Sequence, residues 1–180
     1  MALIFPPHEL RAAGDALPRP HADSYWVVPG RLLAGAHPSQ HLPALLAAGV
    51  DSYIDLTQAP HPPAPYVQWL GERARWQGFA IVDYGVPEAA LMRRILDAVD
   101  ASLAQGATVY VHCHAGVGRT GTAVGCWLVE QGLAAAEALA LIDAKRRVLA
   151  RYSWMPRSPE TEAQHAFVRQ WRKGSGAAAP

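Results

Sequence analysis

His112-Cys113-His114-Ala115-Gly116-Val117-Gly118-Arg119-Thr120-Gly121 is the stretch whose reading decides the fold. Thr108-Val109-Tyr110-Val111 runs into it, β-branched and aromatic, and reads as a buried central strand. A helix is expected behind it over residues 119–131, closed by Gly132. Strand, glycine-bearing loop and helix in that order make a cradle for an anion. Small residues let the backbone curl so that the N–H groups of His114, Ala115, Gly116, Val117, Gly118 and Arg119 converge on one centre, and the helix N-terminus adds its positive end. Arg119 closes the loop and is able to grip two oxygens of a tetrahedral dianion.

The same field acts on the thiol at the mouth of the loop. Thiols in such surroundings titrate at roughly 3.5–7.5 instead of about 8.5, which makes Cys113 the expected nucleophile. His112 is expected to orient the loop through hydrogen bonds. Thr120 is expected to offer its hydroxyl to the sulfur.

Working outward, residues 25–28 and 31–34 read as strands joined at Pro29-Gly30, 39–48 as a helix ending at Gly49, and 51–56 as a third strand. Residues 66–77 read as a helix stopped by Gly78, and 79–82 as a short strand. Leu91, Ile95, Val99 and Leu103 recur every four positions, one face of a helix over 88–105. Helices follow at 134–149 and at 159–172, the last with Ser158 as N-cap, Pro159 at its first position and Glu160 in its first turn. The implied architecture is α/β: a single domain with a central, mostly parallel sheet of about five strands flanked by helices, and the phosphate-binding loop between the central strand and the following helix. Residues 24–173 form this domain. An N-terminal arm (1–23), either laid over the domain or partly disordered, precedes it, and a flexible tail (174–180) follows.

The 180 residues are 51% hydrophobic and 17% charged, a globular balance, with a formal net charge of +1. That charge argues against broad nucleic-acid binding. Two cysteines, Cys113 and Cys126, make no disulfide framework and imply a reducing compartment. With no secretory pattern at the N-terminus and no membrane-length apolar run, a cytoplasmic protein without membrane insertion is expected. Its partner would be a phosphorylated protein or a small phosphoester. Composition leaves the oligomeric state open.

The motif His112-Cys113, five residues, Arg119-Thr120-Gly121 resembles the signature of the protein-tyrosine phosphatase superfamily, and the modest length resembles its compact, dual-specificity-like, bacterial-type branch. The resemblance extends from about Gly30 to Trp171. It implies hydrolysis of phosphate monoesters, protein phosphotyrosine by default, through a cysteinyl-phosphate and without cofactor or metal. It also implies a general acid on a loop about thirty residues before the cysteine, and Ile81-Val82-Asp83-Tyr84-Gly85-Val86-Pro87 matches that loop, with Asp83 as the acid. Arg31-Leu32-Leu33-Ala34-Gly35-Ala36 resembles the family's opening strand, and the segment from Ser158 to Gln164 a C-terminal piece of compact bacterial members. Gln164 is therefore placed either at the site, near the hydrolytic water, or in helix packing.

Blander readings stand beside these. Cys113 as an inert thiol, or a phosphopeptide-binding module without turnover, does not explain Cys113, Arg119 and Asp83 together. A non-protein substrate such as an inositol phosphate stays open, although His114 and Val117 stand where lysines would favour it. Asp55 is the rival acid but reads as a structural strand residue. His112 and His114 share a face yet lack a third metal ligand. Gly116 to Gly121 fits a dinucleotide fingerprint, but no second strand follows. Cys126 reads as core, and Lys145, Arg146, Arg147, Arg151 and Arg157 as a solvated helix end or a rim that attracts acidic substrates.

Overall fold

The computed structural model describes residues 3–58 and 66–177. After a short helix α1 (Pro7–Leu10), the chain lays down an antiparallel pair, β1 (Ser24–Val28) and β2 (Leu32–Gly35). A 3-10 turn and helix α2 (Leu42–Ala47) lead to β3 (Ser52–Asp55), and α3 (Val67–Leu70) to β4 (Arg75–Gly78). Then come α4 (Ala89–Ala104), β5 (Val109–His112), α5 (Gly118–Glu130), α6 (Ala135–Arg146) and α7 (Glu162–Gln170). The five strands lie in the order β1-β2-β5-β3-β4, and every pairing except β1 with β2 is parallel.

The period-2 geometry of a strand sorts the core into two layers. On β5, Val109 and Val111 face one side with Leu32, Ala34 and Ile54, and pack with Leu96 and Val99 of α4 and Val124 and Trp127 of α5. Tyr110 faces the other side with Leu33 and Tyr53, against Leu42 and Leu45 of α2 and Leu70 of α3. Both faces of the central strand are thus sealed, which is why it reads as an unbroken apolar run. A parallel sheet opens its loops at the C-terminal ends of its strands, and β5 ends at His112, one residue before the thiol.

Two expectations fail. The 66–77 segment is not one helix. α3 stops after Leu70, Gly71 takes φ +57, and residues 75–78 become the edge strand β4. Arg75 donates to the Asp51 carbonyl (2.9 Å) and Phe79 to that of Asp55 (2.8 Å), so pairing with β3 overrides a spacing of aromatic residues that imitates a helix. The strand expected at 79–82 is instead a loop. Its apolar character is real, since Phe79 and Ile81 are buried in the core cluster shared with α4 and α5, although the segment forms no strand. The last helix also starts later than its sequence suggests. Thr161, not Ser158, is the N-cap of α7, in a capping box with Gln164, and Ser158 and Pro159 lie ahead of the helix.

The N-terminal residues pack onto the domain. Phe5 and Leu10 are buried, the Phe5 amide donates to Gln131 Oε1 (3.0 Å), and Gln131 Nε2 donates to the Leu3 carbonyl (3.1 Å). At the other end the Gly174 amide donates to Glu130 Oε1 (3.0 Å). No helix among the described residues is long and apolar enough to cross a membrane.

Candidate active site

Residues 113–117 join β5 to α5. If their amides are to point inward, their carbonyls must point out and find donors. They do. The His114 carbonyl accepts from the His37 amide (2.9 Å), that of Ala115 from Arg151 Nη1 (2.8 Å) and that of Val117 from Ser158 Oγ (2.8 Å). Gly116 sits at φ +73, and a Cβ there would lie 2.3 Å from the Gly35 carbonyl carbon, so only glycine serves. α5 begins without any side-chain cap, which leaves its first amides free to face an anion.

Cys113 is buried at 3% exposure, and Arg119 at 4%. Arg119 Nη1 donates to the Ile81 carbonyl (3.1 Å), and Nη2 pairs with Asp83 Oδ1 (2.8 Å). The cysteine, the arginine and the aspartate singled out in the sequence thus meet at one cavity of about 60 Å³, which His114, Ala115, Gly118, Tyr84, Met155 and Glu160 also line. That is the size of a single small anion; drug-sized ligands take several hundred cubic ångströms. A larger hollow of about 770 Å³ lies between α2 and α3, beside Leu42, Leu46 and Trp69, and holds no comparable set of groups.

His112 is fully buried and its pKa is lowered to about 4, chiefly by burial. A neutral ring needs one donor and one acceptor nitrogen. Nδ1 faces the Cys113 carbonyl (3.1 Å) and donates, so Nε2 accepts from the Tyr66 hydroxyl (2.7 Å). Both nitrogens are engaged in holding the loop. Among the described residues no cluster of three or more histidine, cysteine or acidic groups is disposed to hold a metal.

Three expectations need correction or refinement. The Thr120 hydroxyl is buried with no hydrogen-bond partner among the described residues, so it makes no hydrogen bond to the sulfur. Gln164 is fully buried behind the cradle and does not line the cavity; its amide is used by the capping box and by the Gly85 carbonyl. The basic run is only partly a solvated helix end, since Arg147 and Arg157 are exposed, and it is not a free cationic rim. Lys145 and Arg146 are buried. Lys145 donates to the Ala12 carbonyl, with its pKa lowered to about 8 by burial, while Arg146 donates to the carbonyls of Met155 and Pro156. Arg147, Arg151 and Arg157 pair with Asp143, Asp23 and Glu162.

Asp55 accepts from Thr57 and from Trp76 Nε1 and fastens β3 to β4, and the Cys126 thiol is core, pushed well above its usual range by burial. Sequence reasoning missed Asp23, Arg151 and Ser158, which hold the cradle, and Glu160 as a cavity wall. Burial and then the neighbouring Asp83 raise the Glu160 carboxyl above its ordinary value. These residues lie 38 to 90 positions from Cys113, and no local pattern marks them.

The family described as the Swiss Army Knife protein DSP-PTPase phosphatase domain, PTP-SAK, matches residues 21–168. The chain belongs to that family. It is a phosphatase domain of the protein-tyrosine and dual-specificity type, with the five-stranded fold of that class. It is 34% identical over 94 residues to the mouse protein tyrosine phosphatase domain-containing protein 1, covering 52% of this chain and 11% of that protein. It is 28% identical over 145 residues to the human dual specificity protein phosphatase CDC14C, covering 68% of this chain and 30% of that one. The phosphatase domain therefore spans only a minor part of these curated relatives. Among solved structures, Tk-PTP in its active form superposes with a TM-score of 0.66 at 24% identity, over 78% of this chain and 90% of that one. TpbA of P. aeruginosa does so with a TM-score of 0.63 at 20% identity, over 85% and 87%.

Proposed function

We propose that this phosphatase domain hydrolyses phosphate monoesters of proteins, phosphotyrosine first among them, through a cysteinyl-phosphate. The observation that carries the reading is the meeting of Cys113, Arg119 and Asp83 at one phosphate-sized cavity, on a loop whose His114, Ala115 and Val117 carbonyls are taken up by donors from elsewhere in the chain. In the first step the Cys113 thiolate forms an S–P bond while the P–O bond to the leaving group breaks. The inward amides and Arg119 carry the charge on the three remaining oxygens. Asp83 gives its proton to the leaving oxygen. Arg119 must turn from Asp83 to the phosphate, so the arriving substrate frees the Asp83 carboxylate, which takes up a proton from solvent before it serves as the acid. In the second step Asp83, now ionised, takes a proton from water as the new O–P bond forms and the S–P bond breaks.

One structural neighbour is PTPMT1 in complex with PI(5)P, which raises phosphoinositides as substrates. Rim charge speaks against them here. His114 and Val117 stand in the loop where cations would help, and Arg147, Arg151 and Arg157 are each paired with a carboxylate. Exposed Tyr84, which lines the cavity, instead gives the mouth an aromatic wall that suits a singly phosphorylated aromatic side chain. The test is hydrolysis of para-nitrophenyl phosphate with chelator present, then of phosphotyrosine, phosphoserine and phosphothreonine peptides and PI(5)P. Turnover confined to the inositol lipid would overturn the protein-substrate reading. A folded protein that binds phosphotyrosine peptide without turnover would make it a binding module.

A further inference from the structure

Gln164 is a fully buried glutamine with both ends of its amide in use. Oε1 accepts from the backbone amides of Glu160 (3.0 Å) and Thr161 (3.1 Å), the side-chain half of the capping box that starts α7. Nε2 points the other way and donates to the carbonyl of Gly85 (3.0 Å), two residues past Asp83. The Thr161 hydroxyl, which accepts from the Gln164 amide in the same box, donates to the carbonyl of Tyr84 (3.3 Å). A Cβ on Gly118 would fall 2.9 Å from Gln164 Oε1, so the same side chain also rests against the start of α5 and the cradle.

The loop held in this way has little else to fix it. Val82, Asp83 and Tyr84 are exposed, and Tyr84 sits at φ +59, a conformation non-glycine residues rarely adopt. The turn is closed internally by the Gly85 amide on the Val82 carbonyl (3.0 Å). Beyond Ile81 at its base, which Arg119 Nη1 and the Leu56 carbonyl hold, the hydrogen bonds and ion pairs seen from residues 82–86 to the rest of the described molecule are the Asp83–Arg119 pair and the two hydrogen bonds from α7. The first of these is the one a phosphate must replace. Once substrate takes Arg119, the links from Thr161 and Gln164 are what keep Asp83 over the cradle.

We propose that Gln164 is the positioning residue of the acid loop, with Thr161 as its second fastener, so that the N-terminal cap of α7 also sets the aim of the proton donor. The inference rests on the reading of Asp83 as the general acid. It gives Gln164 no contact with water or substrate, since its polar atoms are occupied and it is shut away from the cavity.

The experiment uses Gln164→Glu, which keeps the acceptor and hence the cap, whereas an ionised carboxylate has no proton to donate to Gly85. Steady-state rates are measured on para-nitrophenyl phosphate and on phenyl phosphate, whose poorer leaving group depends more on the acid, in the parent and in an Asp83→Asn background. The expected result is a kcat lowered about tenfold on phenyl phosphate and less on the nitrophenyl ester, with KM within about twofold and no further loss in Asp83→Asn. An equal loss in both backgrounds would mean a field or folding effect and would overturn the proposal, as would parent-like turnover of phenyl phosphate. Thr161→Asp, which keeps a good N-cap but loses the donor to Tyr84, is the second variant if the first does not fold, with a smaller loss of the same pattern expected. An Asp83→Asn protein as fast as the parent removes the acid reading and this inference together. A slow Asp83→Asn beside an unaffected Gln164→Glu removes this inference alone.

Discussion

The cradle of residues 113–119 and the acid loop of residues 82–86 face the same cavity and are built in opposite ways. The cradle is buried at Cys113 and Arg119, its carbonyls are held from three distant parts of the chain (His37, Arg151 and Ser158) and by the adjacent His112, and its glycine sits where no other residue fits. The acid loop is exposed and is held by one ion pair and two hydrogen bonds. The difference follows from the tasks. Charge stabilisation works only if the dipoles are fixed before the charge develops. A proton donor must let substrate in and product out, so a lightly held loop suffices provided that its resting aim is correct.

That contrast can be broken most decisively at the cradle. Cys113→Ser should lower kcat by about a thousandfold or more while the protein stays folded, because the substitution is nearly isosteric. Rapid-quench trapping should find labelled phosphate on the parent and none on the variant through sulfur, and an active variant would end the nucleophile assignment. At the loop, Asp83→Asn should cost about a hundredfold on phenyl phosphate and less on the nitrophenyl ester. Equal losses on both esters would mean that the loop shapes the pocket and carries no proton.

Acid should undo the cradle's supports through buried histidines. His112, under the cradle, and His21, hydrogen-bonded to Tyr110, both have their pKa lowered from 6.5 to about 4, mainly by burial. A depressed folded pKa means that the unfolded chain takes up protons first. The stability these neutral rings carry is therefore whole above pH 6.5 and drains as pH falls towards about 4, by about 2–3 kcal/mol for each ring. Denaturant melts at stepped pH check this, and His112→Gln should flatten the decline. The smallest expected effect is that of Ser158→Ala, which removes one of the two donors to the Val117 carbonyl and leaves it the Gly121 amide (3.1 Å). It should cost about 1 kcal/mol and weaken vanadate binding by no more than about fivefold, leaving leaving-group dependence unchanged. A change in that dependence would tie the cradle and the loop together after all.

Much of the site was legible because its chemistry is local. Residues 112–121 carry the proposed nucleophile, cradle and arginine in ten consecutive positions, the strand before them alternates between two cores, and Asp83 follows a recognisable apolar stretch. The readings that failed lie where partners are remote. The aromatic spacing of 66–77 imitates a helix until β3 offers its edge to residues 75–78. Ser158 has every local mark of an N-cap, yet its hydroxyl is drawn to Val117, 41 residues away. Lys145 and Arg146 look like surface charges, but α6 turns them inward onto backbone carbonyls. By itself, then, the sequence determined the family, the layered α/β plan and which cysteine is the proposed nucleophile, because short-range geometry and hydrophobic period suffice for these. Only the tertiary structure decided which carbonyls are satisfied by which donors, that the Thr120 hydroxyl has no partner among the described residues, and how the cap of α7 comes to hold the acid loop. Those are contacts between segments that meet only once the sheet has brought them to the same edge.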